Sequence, residues 1–172
     1  MQMEKNPEVI LVTANNVMLW RGQYFRCSIG RAGITSKKQE GDGASPSGTF
    51  ALRALLYRAD RIVEPDTQLP VRAINRHDGW CNAVGDPNYN RLVKMPYAAS
   101  AEKLWRKDAS YDVVIILGHN DSPTVQGRGS AIFLHCAKNG YPATAGCVAA
   151  ELNDLLTIVR DCNSCTSLCL RE

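Results

Sequence analysis

The sequence predicts a mainly β domain with one or two short helices, on three observations. Short apolar runs bounded by Gly, Asn, Ser and Pro recur along the chain, the signature of strands separated by turns. At least one run, "YFRCSIG", alternates, with Phe25, Cys27 and Ile29 on one side and Arg26 and Ser28 on the other. Clear helical periodicity is confined to "ELNDLLTIVRDC", where Leu152, Leu155, Leu156 and Val159 fall at i, i+3, i+4 and i+7.

In chain order, "EVILV" and "NVMLWRG" read as strands flanking a turn at Asn15 and Asn16, and "YFRCSIG" follows. The segment "TSKKQEGDGASPSG" is a polar loop rich in Gly, Ser and Pro, after which "TFALRALLY" resumes a strand. Residues 75–91, "NRHDGWCNAVGDPNYNR", read as a long irregular loop carrying aromatic residues, which in a compact domain points to function. "AASAEKLWR" reads as a short helix with Ser100 near its start. "DVVIILG" and "SAIFLHCA" are near-continuous apolar runs, expected of central strands buried on both faces. The last helix is expected directly after Cys147.

A chain of 172 residues with 45% hydrophobic and 22% charged residues suggests one globular domain, residues 1–172. Twenty basic against seventeen acidic residues leave a charge of +3, with no Lys/Arg stripe, so nucleic acid is not an expected partner. No apolar run approaches the roughly 20 residues of a membrane span. The start, "MQMEKNPEVILVTANN", lacks a basic segment followed by a long apolar one, so no signal peptide is visible. Seven cysteines fit either an oxidising compartment or a set of reduced thiols. The tail "CNSCTSLC" supplies three potential metal ligands where a closed zinc site takes four, so disulfides or plain thiols are expected there.

"GDGASPSG" is followed by Thr49 and Phe50 with no lysine, which excludes a phosphate-binding P-loop. His77, His119 and His135 lie in no zinc-binding pattern. Cys147, in "TAGCV", is placed between a Pro-containing loop and the expected helix, where free N–H groups and the helix dipole would lower the thiol pKa. The same N–H groups would suit an oxyanion, and Gly146 permits a tight turn. His135 ends the "AIFLH" strand, eleven residues upstream, a spacing that can set imidazole beside thiol. Spacing alone leaves two readings open, a catalytic pair or a core cysteine near a satisfied core histidine.

The upstream loop "EGDGASPSGTF" together with His135 and "TAGCV" resembles the L,D-transpeptidase (YkuD) catalytic domain, over about Val9 to Val159. The resemblance implies a β-rich sandwich or barrel-like fold of the YkuD type and a cysteine acyl transferase acting on peptidoglycan stem peptides, without metal or organic cofactor. Cys147 would be the nucleophile and His135 the general base and acid, with backbone N–H groups around Ala145 and Gly146 holding the oxyanion. A periplasmic or cell-envelope location follows from the same resemblance. Three positions depart from the family pattern: Ala145 stands for its histidine before Gly-Cys, Cys136 for the glycine after the base, and Ala149 for an arginine after the nucleophile. Cys136 in that place is expected to crowd the site or to be open to oxidation. The missing cation leaves substrate contacts to be sought at Thr144, Tyr141, Trp80, His119, Asn120 and Arg128. Hydrolysis of the same peptides by a carboxypeptidase or amidase, or peptidoglycan binding without chemistry, are the competing readings. A sortase-like site lacks its positioned arginine, since Arg160 is the first after Cys147.

Overall fold

A computed structural model describes residues 8–172; residues 1–7, the start of the segment read for a leader, lie outside the described residues. The strands in chain order are β1 (Val9–Thr13), β2 (Val17–Trp20), β3 (Gln23–Ser28), β4 (Ile34–Thr35), β5 (Ser45–Pro46), β6 (Gly48–Tyr57) and β7 (Val71–Ala73). They continue with β8 (Asp78–Cys81), β9 (Leu92–Lys94), β10 (Ala101–Lys103), β11 (Val113–Leu117), β12 (Phe133–Cys136), β13 (Val148–Ala150) and β14 (Ser167–Arg171). The helix α1 spans Leu152–Arg160, and a single 3-10 turn covers Ala109–Tyr111.

The main sheet runs β11-β12-β13-β3-β2-β1-β14-β6-β7, and β11 also pairs with β6, which closes every strand except the appended β7 into a barrel. Closure removes the free edges that an open sheet would present. The mainly β, barrel-like expectation therefore holds. The turn expected at Asn15 and Asn16 joins β1 to β2, with Asn16 at φ 60°.

The apolar runs of the second half are explained by burial on both faces. On β11, β12 and β13, the residues Val113, Ile115, Leu117, Leu134, Cys136, Val148 and Ala150 face one large cluster. The alternate residues Val114 and Phe133 face a second cluster with Leu56, Leu104 and Tyr111. A small sheet, β10-β8-β9, supplies Trp80 and adjoins Leu104 on this second face. The helix α1 inserts Leu155, Ile158 and Val159 into the first cluster. Glu151 caps it by accepting from the N–H groups of Asn153 at 2.9 Å and Asp154 at 3.2 Å.

Three local expectations are corrected. "AASAEKLWR" is not a helix: its centre is β10, paired antiparallel with β8 through Ala101 with Cys81 and Glu102 with Trp80. An isolated nine-residue helix is marginal, and strand pairing plus burial of Leu104 outweighs its propensity. The irregular loop 75–91 contains β8, whose residues face a core that its mixed polar sequence does not advertise. Finally, β13 separates Cys147 from α1, so the cysteine enters a strand rather than a helix.

Ile158 is fully buried and Val63 is 89% exposed. Ile158→Ala is therefore expected to cost about 2–5 kcal/mol in urea unfolding, and Val63→Ala less than about 0.5 kcal/mol.

Candidate active site

The parallel pairing of β12 with β13 sets Leu134 opposite Val148 and His135 opposite Ala149. Side chains alternate along each strand, so Phe133, His135, Cys147 and Ala149 share the outer face. His135 and Cys147 line one cavity of about 400 Å³, with Thr144, Ala145, Gly146 and Ala149 on the same wall. Glu102, Arg106, Ser110, Tyr111 and Lys138 line the same cavity.

The loop leading into Cys147 is held from beneath. Ser45, fully buried in the "GDGASPSG" loop, donates its hydroxyl to the Gly146 carbonyl at 2.7 Å and accepts from the Gly30 N–H at 2.9 Å. Gly146 has φ 148°, and a Cβ there would lie 2.9 Å from the Ala44 carbonyl oxygen, so the approach of the two loops requires glycine. Thr144 Oγ1 donates to the Cys147 carbonyl at 2.6 Å and accepts from the Gly146 N–H at 3.1 Å. The Gly146 amide is thus already committed, which corrects its assignment as an oxyanion donor. Ala145 and Cys147 remain as the loop's candidate donors.

His135 Nδ1 lies 3.0 Å from the Cys136 carbonyl. A carbonyl only accepts, so Nδ1 carries the proton and Nε2 the lone pair in the neutral ring. The Tyr111 ring meets the imidazole edge-on at 5.2 Å. Burial lowers the His135 pKa to about 4.

The Cys147 thiol donates to the Ala131 carbonyl at 3.1 Å and accepts from the Phe133 N–H at 3.4 Å, and neither bond involves His135. Burial first, and the nearby Glu102 carboxylate second, push the thiol up to about 12. The expectation of a lowered thiol pKa at a helix N-terminus is therefore corrected on both counts. The cysteine precedes a strand, so no helix dipole reaches it, and desolvation penalises its anion. Thiol and imidazole both rest neutral.

The structure brings some expected contacts to this cavity and not others. Thr144 lines it. Tyr141 does not: its ring lies under the Arg26 guanidinium at 4.3 Å, and its carbonyl accepts from Ser28 Oγ at 3.0 Å. His119, Asn120 and Arg128 belong to a separate loop. His119 Nε2 donates to the Arg128 carbonyl at 2.9 Å, and Asn120 Nδ2 donates to the carbonyls of Val125 and Gly129, each at 2.9 Å. Arg128 is exposed and outside the cavity wall. Trp80 lines a second cavity of about 260 Å³ with Arg53, Asn90 and Asp121, across Phe133 from the cysteine. Cys136 points into the barrel, 3% exposed, so it neither crowds the cavity nor is open to solvent oxidants. All seven cysteines are free thiols, and among the described residues no cluster of His, Cys, Asp or Glu is arranged to hold a metal.

Sequence reasoning missed the cavity residues Glu102, Arg106, Ser110, Tyr111 and Lys138, and the buried Asn90. Arg106, which with Lys138 brings positive charge to the cavity, pairs with Asp108 through two bonds of 3.0 and 2.8 Å. Asn90 is a buried hub: its Oδ1 accepts from Trp80 Nε1 at 2.9 Å and the Ala131 N–H at 3.0 Å, and its Nδ2 donates to the carbonyls of His119 and Asn120. It thereby holds Ala131, at φ 53°, with its carbonyl on the thiol. The "YNR" context of Asn90 gave a turn signal but no indication of these long-range partners.

A closed β-barrel with a cysteine and a histidine on the outer face of adjacent strands defines this protein's class. The family model described as YkuD, the L,D-transpeptidase catalytic domain, matches residues 6–166, and the chain belongs to that family. Among solved structures it is similar to the crystal structure of L,D-transpeptidase 3 from Mycobacterium tuberculosis in complex with a faropenem-derived adduct. Identity is 11%, the match covers 95% of this chain and 60% of that chain, and the TM-score is 0.43. The chain thus spans less than two thirds of that protein. No curated protein matches. Among the described residues no helix is long and apolar enough to cross a membrane.

Two outcomes test the site's geometry. Iodoacetamide labelling of Cys147, separated from the exposed Cys165 by peptide mapping, is expected to be slow at pH 7 and to climb through the alkaline range toward about 12. Rapid labelling that levels off below pH 8 would contradict a neutral resting thiol. Ser45→Ala leaves the buried Gly30 N–H and Gly146 carbonyl unpaired, and thermal unfolding should register a loss of about 1–3 kcal/mol or more.

Proposed function

We propose that the protein is a cysteine acyl transferase that cross-links peptidoglycan stem peptides in the cell envelope, with Cys147 as nucleophile and His135 as base and acid. The observation that carries this reading is that both side chains line one cavity, with His135 Nδ1 held against the Cys136 carbonyl.

Because both groups rest neutral, no thiolate is stored. Acylation begins when the thiol turns its proton from the Ala131 carbonyl to His135 Nε2. The sulfur then attacks a peptide carbonyl of the donor stem, and the oxyanion is held by the amides of Ala145 and Cys147. On collapse, the C–N bond breaks and the imidazolium returns the proton to the leaving amine, leaving a thioester on Cys147. The amine of a second stem attacks the thioester, gives its proton to His135 and expels the thiolate, which is reprotonated. The product is an amide cross-link. Water in place of that amine would yield hydrolysis at the same site. Thr144 acts by shaping the loop, and the chain needs no cofactor for any step.

Incubation with soluble muropeptides, followed by intact mass, is expected to show an acyl adduct on the wild type and none on Cys147→Ala; absence from both would overturn the proposal. Chromatography of the products separates cross-linked from hydrolysed stems. His135→Gln should lower kcat/KM by about 10²–10⁴-fold. The pH profile carries a sign: His135 must be unprotonated to act as base, so the acid limb of kcat/KM is expected near its folded value of about 4. A limb at an ordinary histidine value would mean that the ring is solvated during turnover.

A further inference from the structure

The cavity of Cys147 carries a carboxylate that the steps above do not use. Glu102 sits on β10, lines the cavity and accepts a hydrogen bond from the Tyr111 hydroxyl. Its nearest cation, Arg106, is 3.9 Å away, beyond hydrogen-bonding range, and is committed to Asp108 through two shorter bonds. Glu102 is thus the incompletely paired charge of the cavity. A second group points the same way: Ser110 is 5% exposed and lines the same cavity, and its buried hydroxyl, with the Asp108 carboxylate beside it, has an oxygen that accepts no hydrogen bond. A carboxylate and a hydroxyl oxygen with an unused lone pair are the acceptors that an N–H-rich cation takes.

We infer that Glu102, with Ser110, binds a primary ammonium carried by the donor substrate close to the carbonyl that Cys147 attacks, and that this ammonium switches the thiol on. The inference rests on the reading of Cys147 as the nucleophile. With no cation on Glu102, the carboxylate repels the thiolate and adds to the penalty of burial. An ammonium seated on Glu102 cancels that repulsion and places a positive charge in the same low-dielectric space, so the proton passes to His135 more readily. The ammonium must belong to the donor, because an acceptor amine arrives after the thiol has lost its proton to form the thioester. Glu102 is a specificity-determining residue on this account, and turnover of a wrong substrate is suppressed because its thiol stays neutral.

Other charges facing the pair are accounted for. Lys38 favours the thiolate from the far side, and Glu40 lies near Glu102. Lys138 shares Asp108 with Arg106 at 3.6 Å. None of these presents an unpaired carboxylate to the cavity: Glu40 already accepts from Tyr89 and from Ser130.

The test reads the rate of iodoacetamide alkylation at Cys147 in the full chain near pH 8.5, where a primary amine with an ordinary pKa of about 10.4 is an ammonium. Adding 1,5-diaminopentane to the wild type is expected to raise the rate by about fivefold. The uncharged analogue 1,5-pentanediol should leave the rate unchanged, which separates charge from steric protection. Glu102→Gln should start from a higher rate and show no response to the diamine. A wild-type rate that ignores the diamine overturns the inference without any variant; so does an equal response in Glu102→Gln. A donor stem whose free side-chain amine is acetylated is expected to acylate the wild type about tenfold more slowly, but Glu102→Gln at the rate of the unmodified stem. If no stem acylates Cys147 while the diamine still shifts the wild type alone, the transfer reading fails and the ammonium site stands.

Discussion

The site depends on one buried hydroxyl. Ser45 Oγ joins the Gly30 amide to the Gly146 carbonyl, and so ties three segments distant in sequence into one floor. Two glycines make the approach possible: a Cβ on Gly30 would lie 2.5 Å from the Gly43 carbonyl oxygen, and one on Gly146 would meet Ala44. The loop that delivers Ser45 is itself built around Asp42, which accepts from Lys38 Nζ at 2.6 Å and from the N–H groups of Gln39 at 2.8 Å and Ala44 at 2.9 Å. The glycine-rich segment is the support on which the Cys147 loop rests, and its own Gly41, Gly43 and Gly48 take positive φ of 75°, 72° and 139°.

Burial on both faces of β11, β12 and β13 then decides the electrostatics. One face fills the barrel, and the other is covered by the small sheet and its aromatic residues. A thiol and an imidazole placed on the covered face lose water, and desolvation is the largest influence on both. It acts against both charged forms, so it disfavours a preformed thiolate–imidazolium pair twice over. The hydrogen bond from the thiol to Ala131 reinforces this state, and Asn90 holds the strained residue that accepts it. A neutral resting thiol is a consequence of where the strands put it.

Much of the fold was legible because it rests on period and punctuation. Two-residue alternation marked β3, continuous apolar runs marked β11 and β12, and the spacing of Leu152, Leu155, Leu156 and Val159 marked α1. Cys147 and His135 were legible through chain order and the glycine before the cysteine. The segment 98–106 misled because alanines and a lysine suit a helix, while the pairing of Glu102 with Trp80 that makes it a strand is not local. The same distance hid Glu102 and Arg106, which reach the cavity only once β10 has paired with β8. Arg128 drew notice as a cation near a suspected site, yet no periodicity shows that its loop folds onto itself through Asn120.

The departures from the family pattern are consistent with one another in three dimensions. Ala149 presents a methyl group to the cavity two residues after Cys147, where the resemblance leads one to expect an arginine. The positive charges lining the cavity are Arg106 and Lys138, both paired with Asp108, and Arg106 lies over the Tyr111 ring at 5.1 Å. Beside it stands Glu102, of opposite sign. A thiolate on Cys147 therefore meets the repulsion of Glu102 against a smaller attraction from Lys38. On the proposed reading, a substrate that brings its own cation beside Glu102 would offset that repulsion, so charge would select before shape does.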